Sequence, residues 1–114
     1  MNYQYIRFFG EIGITDIPSV GGKNASLGEM YQKLGEQGVQ VPNGFAITAE
    51  AYRYILDSSN SWDALHAVLD ELKADDVISL ARCAKKAREI VYAAGLPQDL
   101  QDEIIAAYQQ LQAQ

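Results

Sequence analysis

Apolar residues recur at helical spacing through most of this chain, which restricts it to a largely helical fold. Each periodic segment meets a stop signal: Gly38 ends the first, a serine-rich break at 58–61 follows the second, and Gly95 with Pro97 precedes the last. The pattern predicts five helices. The first three cover Lys23–Glu36, the segment from the N-cap candidate Thr48 through Leu56, and the segment from Trp62 to near Lys73. The fourth runs from Asp75 and Asp76, an N-cap and a first-turn acid, to near Ala94, and the fifth runs from Pro97 through Leu111.

The remaining segments predict two or three short strands. Tyr5–Phe9 is aromatic and β-branched and stops at Gly10, and Phe45–Ile47 follows turn residues at 42–44. A brief apolar alternation at Val39–Val41 is the third candidate. Five helices with so few strands indicate a helix-rich α+β fold.

Length and charge narrow the domain organisation and the possible partners. With 114 residues, 48% hydrophobic and 21% charged, the composition is that of one globular domain, residues 1–114. A formal net charge of −6 disfavours nucleic acid and anionic membranes as partners. The first residues contain neither a secretory signal nor an apolar run long enough to span a bilayer, so the sequence predicts a cytoplasmic protein.

One stretch has a chemical signature: Gly21 and Gly22 stand immediately before Lys23, at the start of the first predicted helix. Glycine lets the backbone come close to a ligand. A helix start offers unpaired N–H groups and the positive end of the helix dipole, to which a lysine adds a full charge. The stretch therefore fits half of a phosphate cradle, although such a turn also occurs in proteins that bind nothing. It is not a Walker A loop, because Ile17 and Asn24 occupy the positions of that motif's first glycine and its Ser or Thr.

Two blocks that include this stretch resemble the amino-terminal end of the phosphoenolpyruvate synthase family. The first, Gly21 to Met30, reads GGKNASLGEM, and the second, Gly38 to Tyr52, reads GVQVPNGFAITAEAY. Pyruvate, phosphate dikinases and rifampin phosphotransferases carry looser versions of both blocks. The resemblance is strong over residues 5–55, and the helical remainder is similar in pattern and length.

The resemblance implies a role for each part of the chain. It makes the chain the first subdomain of an ATP-grasp-like nucleotide-binding domain, in which Lys23 contacts the phosphates of ATP. Gly21 and Gly22 would let the nucleotide approach, and the Pro42–Phe45 block would shape the wall beside it. The implied cofactors are ATP and Mg²⁺, with the metal ligands outside this chain.

The implied reaction converts ATP, pyruvate and water to AMP, phosphoenolpyruvate and phosphate. It passes through a phosphohistidine in a later domain, so pyruvate and that domain are expected partners in the full-length enzyme. The chain itself is expected to hold no catalytic residue and no metal ligand. Two alternatives stay open: a related antibiotic phosphotransferase or pyruvate, phosphate dikinase, and a stand-alone interaction domain without catalytic activity.

The other polar and reactive residues are expected to be structural. A lone cysteine among apolar helical residues is typically buried, and a single histidine without neighbouring ligands is expected at the surface. The acids are expected on solvent faces or at helix starts, and the basic cluster is expected to be solvated. These residues are Cys83; His66; Asp70, Glu71, Asp75, Asp76, Asp99, Asp102 and Glu103; and Arg82, Lys85, Lys86 and Arg88.

Overall fold

The computed structural model describes residues 2–73 and 75–114. Met1 and Ala74, which the predicted domain of 1–114 includes, lie outside these ranges. In chain order the elements are β1 (Ile6–Phe8), 3-10 turns at Phe9–Glu11 and Ile14–Asp16, α1 (Ile17–Val20), α2 (Gly22–Glu36), β2 (Phe45–Ile47), α3 (Ala49–Ser58), α4 (Trp62–Asp70), α5 (Val77–Ala94) and α6 (Gln98–Gln112).

The predicted helix-rich α+β class is confirmed. All five predicted helices are present as α2 to α6, and α1 is an additional single turn. Helix α4 ends at Asp70, before the predicted Lys73, and in the described chain Val39–Val41 is not part of a strand. The chain divides into two compact units, one of residues 2–52 and 98–114 and one of residues 53–97. The assignment of 1–114 to one domain stays a prediction.

The first unit is built on a two-stranded antiparallel sheet. Strand β1 pairs with β2 so that Arg7 lies opposite Ala46. Cross-strand partners share a face of the sheet, so each face has its own cluster. On one face Ile6 and Phe8 pack with Ala107 of α6, and on the other Ala46 belongs to a cluster with residues of α1, α2 and the segment between β1 and α1, namely Val20, Ala25, Phe9 and Ile12.

Two polar residues of this unit differ from expectation. Glu103, expected on a solvent face, accepts a 2.6 Å hydrogen bond from the Tyr5 N–H and so ties α6 to the start of β1. Thr48, expected to cap α3 through its hydroxyl, is 2% exposed, and Thr48 Oγ1 has no hydrogen-bond partner within the described residues. Its backbone carbonyl accepts from the Ala51 N–H at 3.1 Å instead. Thr48 therefore stands at the N-cap position, as predicted, but its hydroxyl does not supply the cap.

The second unit contains the carboxyl-terminal part of α3, together with α4 and α5, which pack on each other. Leu56, Leu65 and Cys83 are its buried apolar residues, so the predicted burial of the cysteine is confirmed. Asp76 caps α5 by accepting from the N–H groups of the second and third helical residues at 3.0 and 3.3 Å. The cap is thus Asp76, one residue after the expected position. Among the helices of the described ranges, none is long and apolar enough to cross a bilayer.

Candidate functional site

The Gly21-Gly22-Lys23 stretch lies at the junction of α1 and α2. Gly21 has φ +84° and ψ 161°, and its N–H closes α1 by donating to the Ile17 carbonyl at 2.8 Å. Its carbonyl then accepts the first hydrogen bond of α2, from the Ala25 N–H at 3.0 Å. One residue therefore ends one helix and begins the next, which a positive φ makes possible and which favours glycine.

The start of α2 carries no side-chain cap. The N-cap is a glycine, and within the described residues it makes no side-chain capping hydrogen bond. Asn24 turns back, and its Nδ2 donates to the Val20 carbonyl at 2.9 Å. The first N–H groups of a helix have no partner inside the helix. The exposed start of this 15-residue helix thus presents donors and the positive end of its dipole to solvent.

The two glycines differ in what the fold requires of them. Gly21 needs its positive φ, whereas Gly22 has no such requirement. A Cβ built at Gly22 meets no atom of the described chain within 4 Å. Neither the backbone conformation nor the packing described here therefore explains a glycine at position 22. Lys23 is exposed beside it, and within residues 2–73 and 75–114 its ammonium makes no hydrogen bond or ion pair.

Close packing fixes the position of α2. A Cβ at Gly28 would lie 2.4 Å from the Ile12 carbonyl oxygen, so only glycine permits this approach. The side chain of Gln32 donates to the carbonyls of Phe9 and Ile12 at 2.9 and 2.7 Å. The lack of a side chain at Gly28 lets the segment before α1 pack closely against the middle of α2, and the two Gln32 hydrogen bonds keep it there.

Glu29 adds an electrostatic link to the same segment. Its Oε1 accepts from the Ile14 N–H at 2.8 Å, and its Oε2 lies 2.8 Å from the Lys33 ammonium. The Lys33 ammonium, and next the Ile14 N–H, hold the pKa of the Glu29 carboxyl below its ordinary value of 4.5. Lys33 follows Lys23 by ten residues, about 15 Å along the helix axis, so Lys23 is the lysine at the start of α2.

The first residues of the second sequence block lie along the other half of α2. Pro42 and Asn43 line an open groove with Tyr31 and Gln32. Tyr31 follows Lys23 by eight residues, which is about 12 Å along the helix axis. The block comes near the junction through Ala46, which shares a cluster with Val20 and Ala25. Pro42 and Asn43 thus lie beside the second half of α2, and the role of Pro42–Phe45 as a wall beside the nucleotide stays a prediction.

The remaining candidates lie apart from any catalytic arrangement. His66 is exposed, and its ring lies 5.8 Å from that of Trp62. The four basic residues of α5 are exposed, as predicted. Within the described ranges, no group of three or more His, Cys, Asp or Glu side chains is placed to hold a metal ion. The exposed N–H groups at the start of α2 and the Lys23 ammonium give this junction hydrogen-bond donors and positive charge, which suit an anion.

Comparison with known proteins agrees with a nucleotide-binding role. Residues 17–114 match the family described as Pyruvate phosphate dikinase, AMP/ATP-binding domain. The match covers more than half of the chain, so the chain belongs to this family of nucleotide-binding domains. The helix-rich α+β structure is consistent with the first subdomain of an ATP-grasp-like domain.

Three curated relatives of this chain are phosphoenolpyruvate synthases from different bacteria. The chain is 41% identical to the phosphoenolpyruvate synthase of Helicobacter pylori over 111 residues, which cover 97% of this chain and 14% of the relative. It is 46% identical to the enzyme of that name from Pseudomonas aeruginosa over 105 residues, 92% of this chain and 13% of the relative. The Escherichia coli phosphoenolpyruvate synthase is 40% identical over 108 residues, 95% of this chain and 14% of the relative. The chain therefore spans about a seventh of the length of the curated relatives it matches.

Proposed function

We propose that this chain is the amino-terminal ATP-binding segment of a phosphoenolpyruvate synthase. In this proposal the free N–H groups at the start of α2 bind the phosphates of ATP. Gly21 and Gly22 let the phosphates come close to the backbone, and Lys23 supplies the positive charge. The full-length enzyme would convert ATP, pyruvate and water to AMP, phosphoenolpyruvate and phosphate, with the relay histidine in a domain outside residues 1–114. Residues 1–114 would form the first part of one ATP-binding domain in the cytoplasm.

The observation that carries the proposal is the exposed start of α2, where open space at Gly22 adjoins Lys23, which has no partner within the described residues. A Cβ at Gly22 meets no atom of residues 2–73 and 75–114 within 4 Å, and the residue has no positive φ. Gly28, in the same helix, shows the contrasting case of a glycine that packing explains. A glycine without a packing or conformational role, next to an unpaired lysine at an uncapped helix start, is suited to a backbone that a phosphate must approach closely.

The chemistry assigned to this segment is binding and charge stabilisation. Phosphoryl transfer depends on in-line positioning and on cations that stabilise charge on the transferred group. Lys23 and the α2 N–H groups would supply part of that stabilisation. Mg²⁺ is the metal implied for such a reaction, but the described residues contain no cluster of acids suited to hold it. We therefore assign no Mg²⁺ ligand to this chain.

The test is phosphorylation of the full-length enzyme by ATP. Lys23→Ala should slow ATP-dependent phosphorylation of the relay histidine by about 30- to 900-fold, since one such contact is worth about 2–4 kcal/mol of transition-state stabilisation. Lys85→Ala is the matched control, because Lys85 is an exposed lysine on α5. Equal rates in the two variants would refute the role of Lys23.

A substrate comparison separates the synthase from its relatives. Phosphate transfer from the phosphoenzyme to pyruvate supports the synthase, and transfer to an antibiotic of the rifampin class supports the phosphotransferase. A requirement for inorganic phosphate as a substrate of the first half-reaction supports the dikinase. The absence of any phosphoenzyme in the wild-type protein would support an interaction domain instead.

A further inference from the structure

The two edges of the sheet in the first unit differ in whether their outward backbone groups have hydrogen-bond partners. The backbone hydrogen bonds between the strands use Tyr5 with Thr48, Arg7 with Ala46, and Phe9 with Gly44. In an antiparallel pair the residues between these positions direct their N–H and C=O groups outward. The outward residues are Ile6 and Phe8 on β1 and Phe45 and Ile47 on β2.

Side chains protect the outer edge of β1. The Phe8 N–H donates to the Glu11 carboxylate at 3.0 Å, and the Ile6 carbonyl accepts from the Arg7 guanidinium at 2.7 Å. Charged side chains at an edge are a common way to prevent another strand from pairing there. Side chains that are local in the sequence therefore occupy the Phe8 N–H and the Ile6 carbonyl, which a further strand would need.

The outer edge of β2 has no such protection. Within the described residues, the outward N–H and C=O groups of Phe45 and Ile47 have no hydrogen-bond partner. Ile47, which is apolar and β-branched, is 48% exposed. A sheet of two strands with three residues each is marginal by itself, and a third strand makes such a sheet much more stable.

We propose that the outer edge of β2 binds an extended segment of the same polypeptide from outside residues 1–114. The added strand would pair with Phe45 and Ile47 and cover the Ile47 side chain. The proposal depends on the proposed function only in taking this chain as part of a longer enzyme, and it does not involve ATP.

The relatives and the net charge favour this occupant over a second copy of the chain. The 111 matched residues cover only 14% of the length of a 41% identical relative, so most of that polypeptide lies outside the match. Two copies of this chain would each bring a net charge of −6 to a contact that only three residues of β2 provide. Their mutual repulsion disfavours that pairing.

The test is residue-resolved hydrogen exchange on the full-length enzyme without nucleotide. The amides of Ala46 and Thr48 point towards β1 and serve as internal references. We expect the amides of Phe45 and Ile47 to be protected to within about tenfold of these references, as in a central strand. Exchange of Phe45 and Ile47 near the free-peptide rate, with Ala46 and Thr48 still protected, would overturn the proposal.

A proline variant and a dilution series test whether this protection comes from an added strand of the same polypeptide or from a second copy of the enzyme. Ile47→Pro removes only an outward N–H, which an edge strand tolerates and a central strand does not. We expect this variant to lose protection at Phe45 in the full-length enzyme, and unchanged protection there would overturn strand addition. Protection that falls when the enzyme is diluted about a hundredfold would assign the edge to a second copy and would also overturn the proposal. ATP-dependent phosphorylation measured separately reports on the proposed function, so either can fail alone.

Discussion

Among the glycines of α2, Gly28 has the closest packing, and Gly28→Ala tests it. The added Cβ would lie 2.4 Å from the Ile12 carbonyl oxygen and 2.8 Å from the Ile12 Cβ. Ordinary contacts begin at 3.4 Å, so α2 and Ile12 must separate by about 1 Å. The atom in the way is backbone oxygen, which cannot rotate aside as a flexible side chain can.

The cost follows from three contributions. Overpacking of this kind costs about 1–3 kcal/mol. Weakening the Gln32 hydrogen bonds to the carbonyls of Phe9 and Ile12 adds about 1 kcal/mol. Alanine is better than glycine in a helix by about 1 kcal/mol, which offsets part of the loss. Gly28→Ala should therefore destabilise the protein by about 1–3 kcal/mol.

The matched control is Gly35→Ala in the same helix. A Cβ at Gly35 meets nothing within 4 Å, and this glycine has no positive φ, so the substitution should stabilise the protein by about 0.5–1 kcal/mol. Urea unfolding followed by circular dichroism measures both variants. Equal stabilities of Gly28→Ala and Gly35→Ala would refute the argument that contact with Ile12 requires glycine.

Three further substitutions test single interactions. Asp76→Ala should cost about 1 kcal/mol because it removes the cap of α5, whereas Asp75→Ala should cost much less. Thr48→Val should leave stability unchanged or raise it by up to about 1 kcal/mol, because the Thr48 hydroxyl is buried without a partner. Glu29→Gln should destabilise the protein at pH 7, and the difference from wild type should shrink as the pH falls below 4.5. The folded-state pKa of Glu29 lies below that value, so its contribution is complete above pH 4.5 and is lost as the pH falls through the folded-state pKa.

Denaturant unfolding at several pH values checks all three. Equal losses in the two aspartate variants would contradict the assignment of the cap. A loss above about 1 kcal/mol in Thr48→Val would show that the hydroxyl has a partner. A Glu29→Gln difference that stays constant from pH 7 to pH 3 would contradict the pairing of Glu29 with Lys33 and the Ile14 N–H.

Local signals in the sequence predicted most of the fold because they act over a few residues. The strand Phe45–Ile47 and the end of α5 at Ala94 are as predicted, and α2 begins one residue before the predicted Lys23. Turn residues, helical spacing and a glycine stop are sufficient for such boundaries. Thr48 shows where this reasoning fails, because tertiary packing buried its hydroxyl and left the backbone to begin α3.

Contacts between distant residues were not predictable from these patterns. The sequence placed Gly28 inside a helix, but its closeness to Ile12 depends on how the preceding segment folds back. The same holds for Glu103, which contacts Tyr5 from 98 residues away, and for Glu29, which accepts from the Ile14 N–H. At the candidate site the predicted stretch lies at an exposed, uncapped helix start, and its contact with ATP stays a prediction.

Titration of residues 1–114 with Mg-ATP, followed by amide chemical shifts in NMR spectra, tests the central claim most directly. Salt screens the attraction between ATP and one lysine with a few solvent-facing N–H groups. This attraction must also offset the entropy that is lost when ATP is immobilised. We therefore expect a monomeric chain that binds with a dissociation constant of about 1 mM or weaker and without turnover, with shifts concentrated at Gly21, Gly22, Lys23 and Asn24. A dissociation constant in the low micromolar range would show a complete site in this chain, and shifts confined to the groove beside Tyr31 and Pro42 would place the nucleotide elsewhere. Either result would contradict the account.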